Sequence, residues 1–269
     1  MPRPLHIGAP ASVLALLTMC VGIAPAQDAR PGRGEPPPAT TRLIAVSAAR
    51  DGVWTLGVSI VLRPGFITYW RNPGEAGVPP RFDFTGSANV ARADVSYPAP
   101  RRLQEAGMEA IGYEGAVVFP VRVVPAQAGA PVTVSLRLDY AVCERICLPA
   151  RADLSLTLPP PPDAVDAAAL ARAEAAVPRV LDAQAAREVA SVTRIGDKPP
   201  SWVVRPDAAF GARDLFADGP DGFYLSSKSE GDGFRVAVEE HPPGRDAPDR
   251  LSLTMVGAGG AVEFDAFAR

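Results

Sequence analysis

The chain has 269 residues, with 27 basic against 30 acidic side chains, a net charge of −3, and 30 prolines and 24 glycines. Proline and glycine at this density argue against a helical bundle or a doubly wound α/β domain and suit short strands joined by turns. With three cysteines and two histidines, and neither a P-loop nor a G-x-G-x-x-G motif, a His-rich zinc site and the common phosphate cradles are excluded; the acidic balance speaks against nucleic-acid binding.

Residues 1–26 read as an export signal. Arg3 is the only charge before Asp28, an apolar stretch runs from Ala11 to Ala24, and Ala24-Pro25-Ala26 offers small residues for cleavage after Ala26. That stretch is too short to be a membrane span, and no other apolar run approaches the length one needs. The mature protein is expected to be exported and soluble. Cleavage removes Cys20 and His6, which leaves Cys143, Cys147 and His241. Residues 27–40 are polar and rich in Pro and Gly, the composition of a disordered leader.

Residues 41–158 are dominated by period-2 patterns. Val132, Val134, Leu136, Leu138 and Tyr140 alternate with polar residues, as do Leu154, Leu156 and Leu158. Val53–Leu62 and Ala116–Val123 read as further strands, Pro120 marking the latter as an edge or a bulge. Arg63-Pro64-Gly65 and Asn72-Pro73-Gly74 read as turns. An antiparallel β-sandwich of immunoglobulin size accommodates these strands.

Residues 159–187 form a linker. Four prolines at 159–162 stop the last strand, and Asp163 caps an Ala-rich helix, DAVDAAALARAEAAV, with further helical turns around Val180–Glu188. Strand patterns return over residues 188–269, at Trp202–Val204, Gly222–Leu225, Phe234–Val238, Leu251–Met255 and Val262–Phe264. The expected fold is all-β: two immunoglobulin-like β-sandwich domains joined by a short Ala-rich linker helix. Trp54, Tyr69, Trp70 and Trp202 read as core or rim aromatics.

Chemistry concentrates in Tyr140-Ala141-Val142-Cys143-Glu144-Arg145-Ile146-Cys147-Leu148-Pro149. In an extended strand, residues four apart lie roughly 13 Å from each other, whereas a disulfide needs Cα atoms within about 7 Å. A bonded pair therefore requires a turn, and the strand patterns on either side place it in a hairpin connection. In an exported protein such thiols oxidise. Three roles stay open from spacing alone. A loop this small makes a weak staple but keeps a second thiol ready to resolve a mixed disulfide, and two thiolates also suit a soft ion such as Cu(I). Arg145 favours a thiolate and Glu144 opposes it.

The ordered series Gly65-Phe66-Ile67-Thr68-Tyr69-Trp70-Arg71-Asn72-Pro73-Gly74-Glu75-Ala76-Gly77, Tyr97-Pro98-Ala99-Pro100, Gly112-Tyr113-Glu114-Gly115 and Tyr140–Pro149 resembles the periplasmic N-terminal region of the thiol–disulfide reductase DsbD. It is similar also to the ScsB type, linked to suppression of copper sensitivity. The resemblance implies a periplasmic immunoglobulin-like domain whose redox pair, Cys143 and Cys147, needs no cofactor. Such a pair accepts electrons from a membrane-embedded donor of the DsbD or ScsB type and reduces thioredoxin-fold partners. By analogy Cys147 forms the mixed disulfide and Cys143 resolves it. The family's cap loop corresponds to Leu103–Met108, with Leu103 or Met108 in place of its aromatic residue, and Tyr140 is a candidate neighbour of the pair. The family's transmembrane and thioredoxin-like domains have no counterpart in this sequence, so the donor is expected on another chain. The alternatives are a non-catalytic binding module with a structural disulfide, and Cu(I) handling by the same thiols.

Overall fold

The computed structural model describes residues 36–45, 49–75, 77–105, 107–161 and 163–267. The export signal lies outside the described residues, as does most of the leader. The first strands are β1 (Ala39–Ala45), β2 (Trp54–Leu62), β3 (Ile67–Gly74), β4 (Arg81–Asp83) and β5 (Val90–Val95). They continue with β6 (Arg101–Glu105), β7 (Met108–Glu114), β8 (Ala116–Pro125), β9 (Val132–Cys143) and β10 (Cys147–Leu158). One sheet has the order β1-β2-β8-β5, and the other β10-β9-β3-β7-β6 with β4 paired to β9. All these pairings are antiparallel.

The alternation seen in the sequence decides which faces meet. Leu56, Val58 and Ile60 of β2, Phe119, Val121 and Val123 of β8, and Val134, Leu136 and Leu138 of β9 fill the space between the sheets. Phe82, Tyr97, Tyr113 and Phe119 pack edge-to-face there, with centroids 5.3 Å apart for Tyr97–Phe119.

Two sequence expectations change. Pro120 sits in β8, an interior strand between β2 and β5, not at an edge. Its carbonyl accepts the Ser96 N–H at 2.8 Å, one residue past the end of β5. A strand residue's N and O lie on the same edge, so the missing donor faces the place where the ladder stops. Asn72-Pro73-Gly74 extends β3 instead of forming a free turn. The Asn72 side chain is buried and donates to the carbonyls of Ala217 (2.7 Å) and Leu225 (3.0 Å), which holds the segment down.

Helix α1 (Ala164–Ala176) starts where Asp163 accepts the N–H groups of Val165 and Asp166. It buries Leu170 and Ala173 against β1 and β8, and Asp166 pairs with Arg42. A short helix, α2 (Ala183–Val189), is capped in the same way by Asp182.

The remaining strands are β11 (Arg179–Val180), β12 (Ala190–Asp197), β13 (Pro200–Pro206), β14 (Ala212–Asp218), β15 (Tyr224–Glu230), β16 (Gly233–Glu240), β17 (Arg250–Gly257) and β18 (Gly260–Phe267). They build two four-stranded sheets, β11-β18-β17-β14 and β12-β13-β16-β15. Trp202, Val204, Leu215, Val236, Leu253, Met255 and Phe264 fill this second sandwich. Phe216 is an exception. It stands on β14 yet belongs to the core of the first sandwich, against Trp70. Pro37–Arg269 forms a single compact unit. Among the described residues, no helix is long and apolar enough to cross a membrane.

Candidate functional site

β9 and β10 pair in unbroken register from Val132↔Leu158 to Cys143↔Cys147. Only Glu144, Arg145 and Ile146 lie beyond the last pair, all exposed. The cysteines are therefore directly opposed at the mouth of the hairpin, with Cα atoms 4.2 Å apart, and form a disulfide. Chain entropy alone gives a loop this short about 2 kcal/mol of stabilisation, the low end for disulfides. The two sulfurs differ in access. Cys143 is 1% exposed, packed with Ile67, Tyr69, Leu103, Ala110 and Ala141 in a small cluster apart from the main core. Cys147 is exposed at the start of β10, the outer strand of its sheet.

Two further side chains reach the sulfurs. Tyr69, fully buried on β3, places its hydroxyl 2.7 Å from Cys143 Sγ and 3.3 Å from Cys147 Sγ. Glu105, 5% exposed at the end of β6, has Oε2 2.6 Å from the same hydroxyl and Oε1 2.6 Å from Cys147 Sγ. Burial pushes the Tyr69 phenol well above its ordinary value, and the hydrogen bond and charge of Glu105 push it further. The phenol thus keeps its one proton and offers it to Glu105 Oε2 or to Cys143 Sγ. A disulfide sulfur carries no hydrogen. Once the pair is reduced, the Cys147 thiol can donate to Glu105 Oε1, and a carboxylate in that place favours the thiol over the thiolate.

Local sequence sets these positions. Period-2 alternation turns Ala141 and Cys143 to the small cluster, and Tyr140 and Val142 to the main core. The Thr68 hydroxyl donates to Ala141 O at 2.9 Å and ties β3 to β9 beside the pair. Gly77, at φ +102°, lies flat on the Tyr69 ring, where an added Cβ would meet Cζ at 2.5 Å and other ring atoms closer still.

Of the residues singled out in the sequence, Cys143, Cys147 and Leu103 come together. Met108 is exposed, opposite Glu105 in the β6–β7 register. Tyr140 is on the far face of β9 and is no part of the cluster. His241 is exposed, its Nδ1 3.2 Å from its neighbour's carbonyl at Pro242. Tyr69 was legible only as a core aromatic. Glu105 was not singled out, although it lies inside the cap segment and shares its strand face with Leu103. Among the described residues, Glu105, Cys143 and Cys147 form a potential metal-ligand group, with donor atoms within 4.8 Å of one another. Only the dithiol form has thiolates to offer a soft cation.

Residues 36–159 match the family model described as thiol:disulfide interchange protein DsbD, N-terminal. The fold is similar to the crystal structure of the N-terminal periplasmic domain of ScsB from Proteus mirabilis. The TM-score is 0.65 at 23% identity, over 85% of this chain and 92% of that one. No curated protein matches the chain in sequence.

Proposed function

We propose, from the match of residues 36–159 to the DsbD N-terminal family model and the fold similar to the periplasmic domain of ScsB, that the chain passes reducing equivalents through Cys143 and Cys147 to thioredoxin-fold partners in the periplasm. The observation that carries this reading is the pairing of one exposed and one buried sulfur with a carboxylate on the exposed one. A structural staple needs neither.

In the dithiol form the Cys147 thiol rests on the Glu105 carboxylate, and as it attacks the partner's disulfide it releases its proton to solvent. That S–S bond breaks, a mixed disulfide to Cys147 forms, and the partner's leaving sulfur takes up a proton. Cys143 then releases its proton to solvent and attacks Cys147 Sγ. The mixed bond breaks, the Cys143–Cys147 disulfide forms, the partner's second sulfur takes up a proton from solvent, and the partner departs as a dithiol. Two electrons and two protons have moved to the partner. A membrane-embedded donor of the DsbD or ScsB type reverses these steps on this chain. Ile146, Leu148 and Met108, all exposed, supply apolar surface around the reacting sulfur.

The reduction potential against glutathione tests the reading. An exchange pair lies above roughly −300 mV, and a value below that marks an inert bond and sinks it. Cys143→Ala is expected to accumulate a mixed disulfide with an oxidised thioredoxin-fold protein, and Cys147→Ala to accumulate none. The clustering of the two sulfurs with Glu105 favours one second reading, Cu(I) handling. It requires stoichiometric Cu(I) uptake by the reduced protein that is lost in both cysteine variants.

A further inference from the structure

Tyr69 and Glu105, the side chains that touch the sulfurs, stand on strands that the second sandwich grips from behind. On β6, alternation sends Leu103 and Glu105 towards the cysteines and Arg102 the opposite way. Arg102 Nε lies 3.0 Å from both carboxylate oxygens of Asp214. Its Nη2 donates to Leu215 O at 2.8 Å and to Ser227 Oγ at 3.0 Å, while Nη1 pairs with Glu109 of β7. On β3, the residues directly after Tyr69 make the same kind of contact. Trp70 meets Phe216 edge-on, with centroids 5.9 Å apart. Arg71 pairs with Asp218 at 3.1 Å and with Glu263 at 2.6 Å. Asn72 bonds the carbonyls of Ala217 and Leu225.

One stretch of β14 therefore supplies a partner at every residue. Asp214 and Leu215 hold Arg102, Phe216 holds Trp70, Ala217 holds Asn72, and Asp218 holds Arg71. Side chains and carbonyls alternate along the strand, so both of its chemical faces are used.

We propose that the second sandwich is a positioning brace for the thiol centre, and that Arg102 is the positioning residue that keeps the Glu105 carboxylate on Cys147. The proposal rests on the thiol-exchange reading and assigns the second sandwich its part in it. β6 is the last strand of its sheet, and Glu105 is its final residue. Strand ends of this kind fray unless anchored. A contact of 2.6 Å to Cys147 survives only small displacements, since site geometry tolerates about 0.5 Å. Arg102 provides the anchor: its planar fork is engaged on the carboxylate, a backbone carbonyl and a hydroxyl at once, which a lysine cannot reproduce. Among the described residues, Tyr69 on β3 also contacts the sulfurs, and Glu144 and Arg145 of the exposed turn adjoin them in sequence.

The test is site-resolved alkylation of the reduced full chain by iodoacetamide, read at Cys147 by mass spectrometry from neutral to mildly alkaline pH. A carboxylate held on the thiol keeps it protonated and slow to alkylate. In Arg102→Gln the reaction at neutral pH is expected to speed up about threefold or more, with its pH midpoint lowered. Asp214→Asn, isosteric and located on the other sandwich, is expected to act in the same direction more weakly, and it carries the test if Arg102→Gln does not fold. Glu105→Gln accelerates the parent but adds nothing in the Arg102→Gln background. The brace is overturned if Arg102→Gln and Asp214→Asn keep the parent profile, or if Glu105→Gln acts equally in both backgrounds. Exchange of the parent with glutathione disulfide is measured separately. A parent that refuses glutathione while its variants alkylate as described removes the exchange reading and leaves the brace in place.

Discussion

Gly77→Ala puts a methyl group where the Tyr69 ring now lies. The cost has two parts. Holding an L-residue at φ +102° is a strained conformation worth about 1–3 kcal/mol. The new Cβ would also lie 2.5 Å from Tyr69 Cζ, whereas carbon atoms rest about 3.5–4.0 Å apart. The ring must therefore retreat by roughly 1 Å, and overpacking of this size adds about 1–3 kcal/mol. The same retreat stretches the hydroxyl contact to Glu105 (2.6 Å) beyond hydrogen-bonding reach and weakens the one to Cys143 (2.7 Å). Urea denaturation is expected to show a total loss of about 2–6 kcal/mol, and exchange with glutathione is expected to slow in the fraction that remains folded. A double-mutant cycle separates the two parts. In a Tyr69→Ala background the added methyl has room, so only the backbone term of about 1–3 kcal/mol should remain. An equal cost in both backgrounds refutes the assignment of Gly77 as the seat of the Tyr69 ring.

Three further outcomes are expected. Phe216→Ala, although on the second sandwich, opens a cavity in the core of the first and costs about 3–5 kcal/mol by urea denaturation; a loss below 1 kcal/mol (on the order of a surface change) contradicts the shared core. Asp218 has a raised pKa because burial outweighs the pull of Arg71. Stability from such a group is full below its unfolded value near 3.8 and is lost as pH rises through the folded value. Asn mimics the protonated acid, so the Tm advantage of Asp218→Asn over the parent should grow as pH rises from that value; a pH-independent difference contradicts the sign. Ile146, 73% exposed in the turn, can be changed to Asp with a stability effect within about 0.5 kcal/mol. Its exchange with a thioredoxin-fold protein should slow while exchange with glutathione is preserved, and equal slowing of both argues against a docking role.

The strands and the cysteine pair were legible because both are local. Val132–Tyr140 announces its buried face by alternation, and a gap of three residues leaves two bonded cysteines no arrangement but a turn. The partners of the sulfurs were not legible. Tyr69 and Glu105 lie 74 and 42 residues from the cysteines they contact, and only the strand order β9-β3-β7-β6 brings them there. Glu105 in sequence is an ordinary acidic residue near a turn. Its burial depends on a neighbouring tyrosine hydroxyl and a sulfur, neither of which leaves a periodic signal. Pro120 misled for a related reason: its fitness inside a sheet depends on where the next strand happens to end. The grip of β14 was hidden because the strand patterns of the sequence skip Ala212–Asp218, and Asp214, Phe216 and Asp218 gain their partners only when the opposing arginines and tryptophan are in place.

The unbroken register of β9 and β10 has a consequence for repeated turnover. The disulfide joins the last of twelve paired positions, so opening it frees one end of a ladder that the other pairs keep closed. In the exchange role proposed above, the frame that presents Cys147 would not have to be rebuilt after each cycle. Such a pair would store little of the transferred energy as a change of shape and would act as a reversible contact whose direction is set by whichever neighbour is more reducing.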